Sequence, residues 1–393
     1  MALEHGADIV FTEELVSKRL CQCRKEVKGE YIQYIEKEDI MLTLKQSEQS
    51  KTVLQLGTFD DESSLKSAEL ITEVCGVDIN LGCGMGFSTK GEMGQALVPN
   101  RQKLSQIIQK LKTIDKPISA KIRLQETTQE TVEFIRWLQN EGISLITLHG
   151  RRHKQFYTND CDWEELKTVV TDLYELKSDE NFKYCPEVKE LKHLVNKTNE
   201  NESNDDITTF EQNQNIQKLY QLKEFPIILN GDICTQEDIT TLSNYSPNVK
   251  GVMLGRASGV HLGLFSPDGG NFVFNKRNLY KTMFDFVLRA QKEQLTFKKI
   301  KFVLLQLIRY QKDYPFGRWR TFDKETEDLR KKTNLQLTQI NTELSKLKSI
   351  ETIIQVIGIE EKEKKDISNN CLNELNEKEE KVMNEKEIKI EEK

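Results

Sequence analysis

Cys83 is the cysteine whose position best suits proton transfer. It follows Asn80 by three residues, at the end of a Val/Ile-rich run, and precedes a glycine-rich stretch over 84–91, so we expect an exposed and mobile thiol. A cysteine with its ordinary pKa of about 8.5 is mostly protonated at neutral pH and can donate a proton, whereas a nucleophile needs a lower pKa. A lone cysteine is more often a buried apolar residue. The strand end and the glycines favour an acid here, and the other seven cysteines lack such a setting.

Polar residues at four other strand ends could hold a flat, phosphorylated group. Lys121 and His149 end consecutive runs, where a cation and an imidazole can stabilise negative charge on an electron-rich ring. Asn230-Gly231 and Gly255-Arg256 end the last two runs, the usual barrel position for a phosphate held by backbone N–H groups and one basic side chain. We therefore expect a phosphorylated cofactor with an anionic ring. No GxGxxG sequence follows a strand, which disfavours a dinucleotide on a Rossmann domain.

Seven β-rich runs must position these residues, with amphipathic helical segments between them. The runs are rich in Val, Ile and Leu, as is typical of parallel strands covered by helices. Polar residues and glycines gather at their C-terminal ends, which is the edge of a (β/α)8 barrel where chemistry takes place. The runs cover residues 7–13, 51–57, 76–83, 117–123, 145–151, 225–231 and 251–256.

The sequence predicts an α/β fold, a TIM (β/α)8 barrel that lacks its first strand. Seven runs are one fewer than a closed barrel needs. Residues 1–6 are typical of the last turn of a helix followed by its capping glycine, so a strand is expected upstream, and a mis-assigned start or a shortened chain would explain its absence. Between the later runs, a helix predicted over 130–141 should end at Gly142.

Composition divides the chain into three parts. Residues 1–265 form the predicted catalytic barrel, with a low-complexity, largely disordered insertion at about 176–217. Residues 271–358 have apolar positions at helical spacing and predict an all-helical domain. Over 271–340, Lys and Arg outnumber Asp and Glu by 16 to 7, so this segment could bind phosphates and stack bases, or form the solvated face of an ordinary bundle. Residues 359–393 predict a charged, disordered tail.

Charge, hydropathy and cysteine spacing limit the partners and the compartment. The net charge of −6 means that any surface for a polyanion must come from local segregation of charge. The apolar stretches are far shorter than the roughly 20 residues of a membrane helix, and the N-terminus has no signal sequence, so we expect a cytoplasmic protein with no membrane contact. Eight cysteines without paired CxxC spacing predict neither a disulfide framework nor a metal.

The motifs resemble those of the tRNA-dihydrouridine synthases over about residues 7–57, 76–169 and 225–264, and more weakly over the helical segment. The form STKGxMG is most similar to the eukaryotic branch that modifies the uridine at position 20 of the D-loop. The matching sequences are VDINLGC (77–83), STKGEMG (88–94), AKIR (120–123), LHGR (148–151), DW (162–163), LNGD (229–232) and GRA (255–257).

The resemblance implies an FMN enzyme in which NADPH reduces the flavin, the flavin N5 passes hydride to C6 of a flipped-out uracil, and Cys83 protonates C5. It implies tRNA as the partner, with the basic helices as the tRNA-binding domain, and we expect the protein to be a monomer. The implied isoalloxazine contacts are Gln55, Lys121 and His149; the phosphate contacts are Asn230, Gly231, Asp232, Gly255 and Arg256; the substrate contacts are Asn80, Lys90, Arg123 and Arg151.

The chain departs from the family pattern in three places. The family's opening Ala-Pro-Met strand has no counterpart, and Gly84 stands where the family has proline, so we expect a looser loop and a slower proton transfer without loss of activity. The insertion at about 176–217 has no assigned role.

Two other functions stay open. They are a catalytically inactive RNA-binding relative that lacks the flavin, and a flavin barrel oxidoreductase that acts on a small molecule. The basic helical segment argues against the second alternative.

Overall fold

The computed structural model describes residues 1–155, 159–174, 225–259, 261–266, 276–292, 295–311 and 324–357. These residues separate into two compact units, one within residues 1–272 and one that contains the described residues from 276 to 357. The predicted insertion at about 176–217 and the predicted tail at 359–393 lie outside the described residues.

The described strands form one parallel and one antiparallel sheet. In chain order they are β1 (Val10–Phe11), β2 (Leu15–Val16), β3 (Arg24–Lys28), β4 (Tyr31–Glu36), β5 (Asp39–Lys45), β6 (Thr52–Gly57), β7 (Gly76–Asn80), β8 (Ile118–Leu124), β9 (Leu145–Arg152), β10 (Ile227–Asn230) and β11 (Val249–Met253). The parallel sheet has the order β1-β6-β7-β8-β9-β10-β11, and β2 also pairs with β6. Within the described part of the chain it therefore has seven strand positions, and each matches a predicted run. The predicted α/β barrel class is confirmed.

The first predicted run is wrong in detail, because two short strands replace the single strand expected over 7–13. The backbone N–H of Thr12 donates to the carbonyl of Val53 at 3.0 Å. The Thr12 hydroxyl then accepts the N–H of Gln55 at 2.9 Å, so a side chain takes the place of a backbone acceptor and interrupts the ladder.

Helices connect the parallel strands and cover one of their faces. In chain order the described α-helices of the first unit are α1 (Ser17–Leu20), α2 (Asp61–Leu70), α3 (Gly86–Lys90), α4 (Arg101–Leu111), α5 (Thr128–Glu141), α6 (Trp163–Tyr174) and α7 (Gln236–Ser243). The side chains of Asp60, Asn100 and Thr127 each accept a backbone N–H at a helix start, which satisfies donors that have no intrahelical partner. The predicted cap at Gly142 is confirmed, with φ at +109°.

The two faces of the parallel sheet differ in chemistry. Alternate residues such as Leu54, Ile79, Ala120 and Leu148 are fully buried and belong to the apolar core that also contains side chains of α4, α5 and α6. The residues between them are polar, and the strand register places them side by side across the sheet. Gln55 pairs with Asp78, Asn80 with Lys121, Lys121 with Thr147, Arg123 with His149, and His149 with Asn230. We call this set the polar face.

The antiparallel sheet of β3, β4 and β5 was not predicted from the sequence. Two-residue turns join its strands, with Gly29 at φ +60° in the first and Lys37 at φ +55° in the second. Its central strand is attached to the rest of the first unit through Tyr34, which is fully buried and donates its hydroxyl to the carboxylate of Glu73.

The second unit is helical and has its own core. Its described helices are α8 (Lys276–Lys292), α9 (Phe297–Gln311), α10 (Lys324–Lys346) and α11 (Ile350–Ile357). All four contribute to one cluster, in which Met283, Ile300, Leu337 and Ile353 are fully buried. No helix among the residues described in either unit is long and apolar enough to cross a membrane.

Candidate functional site

Cys83 lies in the loop that follows β7, and neighbouring side chains hold this loop in place. The side-chain oxygen of Asn80 accepts the N–H of Gly82 at 3.1 Å and that of Cys83 at 2.9 Å. The carbonyl of Cys83 accepts the N–H of Gln95 at 3.0 Å. Cys83 is half-buried, so the expectation of an exposed thiol is wrong: the glycines that follow it do not keep the loop away from its neighbours.

Gly94 allows a second loop to approach Cys83 closely. It has φ at +62°, a conformation that favours glycine. A Cβ there would lie 2.5 Å from the Cys83 carbonyl oxygen, 3.1 Å from the Cys83 Cβ and 2.7 Å from the Ser88 Oγ. Glycine at this position therefore lets Ser88 and Cys83 lie close together.

Glu14 is a functional candidate that the sequence analysis missed. Its Oε1 accepts a hydrogen bond from the Ser88 hydroxyl at 3.0 Å. The same oxygen lies over the end of β6, because a Cβ on Gly57 would be only 2.6 Å from it. Glu14 belongs to the segment just before β2, 74 residues from Ser88, and no local pattern marks this contact.

The surroundings of Cys83 favour the protonated thiol. Burial raises its pKa, and the charge of Glu14 and a hydrogen bond to it raise it further, while bonds from the Met85 backbone and Ser88 act in the opposite direction. The net shift is upward. Since a thiol with a raised pKa keeps its proton at neutral pH, Cys83 is suited to act as an acid rather than as a nucleophile.

A buried carboxylate lies beneath this loop on the polar face. Asp78 is fully buried, accepts the Ser119 hydroxyl at 2.6 Å, and accepts the Gln55 amide at 2.8 Å. The Gln55 oxygen in turn accepts the Asn80 amide at 3.1 Å. Burial raises the pKa of Asp78 to about 6, while its two hydrogen bonds and the charge of Lys121 act to lower it. Sequence reasoning missed Asp78, although it is part of the VDINLGC motif.

Lys121 and Arg123 form the cationic part of the polar face, and His149 lies beside them. Burial lowers the pKa of Lys121 to about 8, although Asp78 opposes this shift. Arg123 donates to the backbone carbonyls of Arg152 at 3.1 Å and Gln155 at 2.6 Å. Burial and the surrounding cations hold the pKa of His149 well below its usual range. Its Nδ1 accepts the N–H of Arg151 at 3.1 Å, so His149 is neutral and its Nε2 carries the proton.

Asp232 joins two guanidinium groups at the ends of β9, β10 and β11. Its carboxylate accepts Arg151 Nη2 at 2.6 and 2.8 Å and Arg256 Nη2 at 2.7 Å. The backbone N–H of Cys161 also donates to it at 2.9 Å. The side chains of Arg151 and Asp232 are 4% and 2% exposed, whereas that of Arg256 is 28% exposed. Asp232 therefore holds Arg256 in place while part of that guanidinium stays accessible.

The same end of the sheet depends on Gly231. Its φ is +127°, and a Cβ there would lie 2.2 Å from the Cys161 sulfur. The Gly231 carbonyl accepts the indole N–H of Trp163 at 3.0 Å, and the Asn230 amide donates to the Met253 carbonyl at 2.8 Å. Around Gly255, by contrast, no atom lies within 4 Å of an added Cβ, so its backbone borders open space.

The structure places the sequence-predicted residues in two groups and leaves one apart. The first group is on the polar face and its loop: Gln55, Asn80, Cys83, Lys121, Arg123 and His149. The second is at the ends of β9 to β11: Arg151, Asn230, Gly231, Asp232, Gly255 and Arg256. Lys90 is the residue apart, exposed at the end of α3. Among the described residues, no group of three or more His, Cys, Asp or Glu side chains could hold a metal ion.

Comparison with known proteins finds a family model that matches part of the first unit. The family model Dihydrouridine synthase (Dus) matches residues 11–176, which include Glu14, Asp78, Cys83, Lys121 and His149. The strand ends that carry Asn230 and Arg256 lie beyond this match.

Three curated relatives illustrate the similarity. The chain is 36% identical over 168 residues to the tRNA-dihydrouridine(20) synthase [NAD(P)+] of Saccharomyces cerevisiae, which covers 39% of this chain and 44% of the yeast protein. It is 30% identical over 183 residues to the protein of the same name from Schizosaccharomyces pombe, covering 43% and 38%. It is 33% identical over 130 residues to the tRNA-dihydrouridine(16/17) synthase of S. pombe, covering 32% and 33%. The chain thus spans less than half the length of these relatives.

Proposed function

We propose that this chain, whose residues 11–176 match the Dihydrouridine synthase (Dus) family model, reduces a uridine of tRNA to 5,6-dihydrouridine. The observation that carries the proposal is the setting of Cys83, a half-buried thiol with a raised pKa at the end of β7, on the same sheet edge as Lys121 and His149. Such a thiol can protonate a carbon, whereas the charge of Lys121 and the neutral N–H of His149 suit an electron-rich ring.

The polar face fits the ring of FMN as cofactor. Lys121 supplies a positive charge, His149 a neutral N–H donor and Gln55 an amide. Thr147 lies beside Lys121 in the register, and its buried hydroxyl has no hydrogen-bond partner among the described residues. These donors suit the carbonyl and nitrogen acceptors of an isoalloxazine. The chemistry that FMN supplies when bound is hydride transfer from its N5 to C6 of the uracil, with NADPH as the reductant.

The ends of β10 and β11 fit the phosphate of the same cofactor. Arg256 is the partly accessible cation, the backbone of Gly255 before it borders open space, and Asn230 and Gly231 lie at the end of the neighbouring strand β10. We propose that Asp232 acts here through Arg256, because its carboxylate already accepts two guanidinium groups and would repel a phosphate in direct contact.

In the proposed reaction, Cys83 donates its proton to C5 of the uracil. Burial and Glu14 keep the thiol protonated until then, and Asn80 orients the loop and the base. Lys90 and Arg123 contribute positive charge toward the tRNA. Arg151 is committed to Asp232, so we propose that it supports the substrate through that ion pair.

We propose that the second unit binds tRNA and that the protein acts as a monomer. Lys298, Lys346 and Lys348 are exposed on this unit. The double variant Lys298→Gln, Lys346→Gln should bind tRNA more weakly and with a smaller salt dependence. Each lost phosphate contact makes the plot of log K against log salt less steep by about one unit of slope. Lys110→Gln, an exposed lysine on α4, is the control. An unchanged salt dependence in the double variant would exclude this role.

The target that we propose is uridine 20 of the D-loop, since two of the similar relatives carry that position in their names. Mass spectrometry of tRNA from cells that lack the gene should show the loss of one dihydrouridine, and that site identifies the target. Unchanged dihydrouridine would exclude the proposed activity. A full-length protein that binds tRNA, yet shows no visible flavin absorbance even after reconstitution, would instead favour an inactive RNA-binding relative.

A further inference from the structure

A chain of side-chain hydrogen bonds connects a fully buried carboxylate to the backbone of the Cys83 loop. We call Asp78, Gln55 and Asn80 the amide chain. Gln55 Nε2 donates to Asp78 Oδ2 at 2.8 Å, and Asn80 Nδ2 donates to Gln55 Oε1 at 3.1 Å. Asn80 Oδ1 then accepts the N–H groups of Gly82 and Cys83. In every hydrogen bond of this path the donor lies on the side of the Cys83 loop and the acceptor on the side of Asp78.

The two ends of the amide chain fix that direction. An ionised carboxylate can only accept hydrogen bonds, so Gln55 must turn its NH2 group toward Asp78 and its oxygen toward Asn80. Asn80 must then present its NH2 group to Gln55, which leaves its oxygen for the loop. Backbone N–H groups can only donate, so the loop requires that same orientation of Asn80.

Asp78 is ionised at neutral pH, as this arrangement requires. Its pKa of about 6 lies below neutrality despite complete burial, and Lys121 is the charged neighbour that favours the carboxylate. Ser119 donates to the second carboxylate oxygen, so Asp78 is held by a bond outside the amide chain.

We propose that Asp78 is a positioning residue that sets the orientation of Gln55 and Asn80 and thereby holds the Cys83 loop in its reactive geometry. This inference rests on the proposed function, since it concerns the loop that carries the acid. It adds a residue that touches neither the thiol nor the uracil, yet determines how the Asn80 side chain faces both. Without an acceptor at position 78, the N–H groups of the loop alone would hold the two amides in this orientation.

The test is amide hydrogen exchange of Gly82 and Cys83 in the full-length protein, measured by mass spectrometry at single-residue resolution. In Asp78→Val, which keeps a strand-forming side chain but removes the acceptor, exchange protection at these two amides should fall about three- to tenfold, as expected for one lost hydrogen bond. Ser119→Ala should leave the protection unchanged, because Gln55 still donates to Asp78 in that variant. Unchanged protection in a folded Asp78→Val would overturn the proposal.

A second variant covers the case in which Asp78→Val does not fold. Gln55→Met keeps the size of the side chain and interrupts the amide chain at its middle, so it should show the same loss of protection at Gly82 and Cys83. Full protection in Gln55→Met would also overturn the proposal.

Different measurements would contradict the proposed function and the proposed role of Asp78. Exchange reports on the loop in the protein alone, whether or not the protein reduces uridine. If the parent protein reduces tRNA, Asp78→Val should slow the single-turnover reduction by a similar factor and leave the Kd for tRNA unchanged. A parent protein that shows the exchange pattern but reduces no uridine would contradict the function and leave the role of Asp78 standing.

Discussion

Glu14 and Ser88, 74 residues apart in sequence, are joined by a hydrogen bond of 3.0 Å from the hydroxyl to the carboxylate. This bond brings a negative charge next to the loop that carries Cys83, where Lys121 and Arg123 are the nearby cations. The carboxylate opposes the effect of these cations on the thiol. Glu14 therefore belongs to the electrostatic environment that keeps Cys83 protonated.

Glu14→Gln should lower the pKa of Cys83, because it removes the charge and keeps an oxygen that can accept the Ser88 hydroxyl. The fraction of thiolate at a given pH then rises. The measurement is the rate of Cys83 alkylation by iodoacetamide as a function of pH, whose midpoint should move to lower pH. Glu13→Gln, an exposed neighbour, should leave the midpoint unchanged. Identical profiles for the parent and Glu14→Gln would exclude this role of Glu14.

Cys83→Ala should bind flavin normally and reduce uridine about 10²- to 10⁴-fold more slowly, which is the usual contribution of a positioned general acid. Visible absorbance of the purified variant and single-turnover reduction of tRNA measure the two effects separately. Cys21→Ala removes a thiol whose sulfur contacts the Lys18 carbonyl and should behave like the parent. Full turnover by Cys83→Ala would show that another group protonates C5.

Gly84→Pro should accelerate the proton-transfer step, because proline restricts both its own φ and the conformation of Cys83 before it. Space at this position is limited on one side only, since an added Cβ would lie 3.1 Å from the Gln95 side-chain oxygen. Single-turnover reduction under saturating tRNA measures the step. If the rate equals that of the parent, Gly84 does not account for a slow proton transfer.

Gly231→Ala should lower the free energy of unfolding by about 2–5 kcal/mol, from the positive φ and from overlap with the Cys161 sulfur. Denaturant unfolding measures the change. Gly251→Ala is the control, because no atom lies within 4 Å of an added Cβ there. Cys161→Ala combined with Gly231→Ala should recover part of the loss, since it removes the overlapping sulfur. A double variant no more stable than Gly231→Ala alone would assign the whole effect to the backbone.

Asp78→Asn should remove one component of the pH dependence of stability. The native protein binds the Asp78 proton more tightly than the unfolded chain does, with a pKa of about 6 against about 3.9, so ionisation of Asp78 lowers the free energy of unfolding as the pH rises between these values. Relative to Asp78→Asn, the parent should lose about 2 kcal/mol between pH 4 and pH 6, out of about 3 kcal/mol over the whole titration. Parallel stability curves for the two proteins would show that Asp78 has no such shift.

The parallel strands could be predicted because each is marked locally, by a Val/Ile-rich run that ends in polar residues or glycine. The antiparallel sheet was missed although it has a local signal too. Residues 31–36 are rich in Tyr and Ile, and Gly29 stands at a two-residue turn, which is typical of a hairpin. The single strand expected over 7–13 failed for a different reason, since the contact of Thr12 with Gln55 depends on a neighbouring strand 43 residues away.

Candidate site residues at strand ends could be found from sequence because the C-terminal ends of parallel strands share one edge of the sheet. Glu14 could not be found in this way, since its role depends on Ser88 and on the space above Gly57. The half-burial of Cys83 could not be predicted either. It depends on how closely the loop that contains Gly94 approaches, whereas the glycine-rich sequence after the cysteine indicated an open loop.

Among the described residues, β3 is an outer strand of the antiparallel sheet, and its composition limits strand addition by a second polypeptide. An unpaired strand edge is a template for intermolecular strand addition and aggregation. Four of the five residues of β3 are charged, namely Arg24, Lys25, Glu26 and Lys28. A strand added to β3 by a second polypeptide would lie close to these charged side chains and remove part of their hydration. This cost disfavours fibre-like growth from this edge.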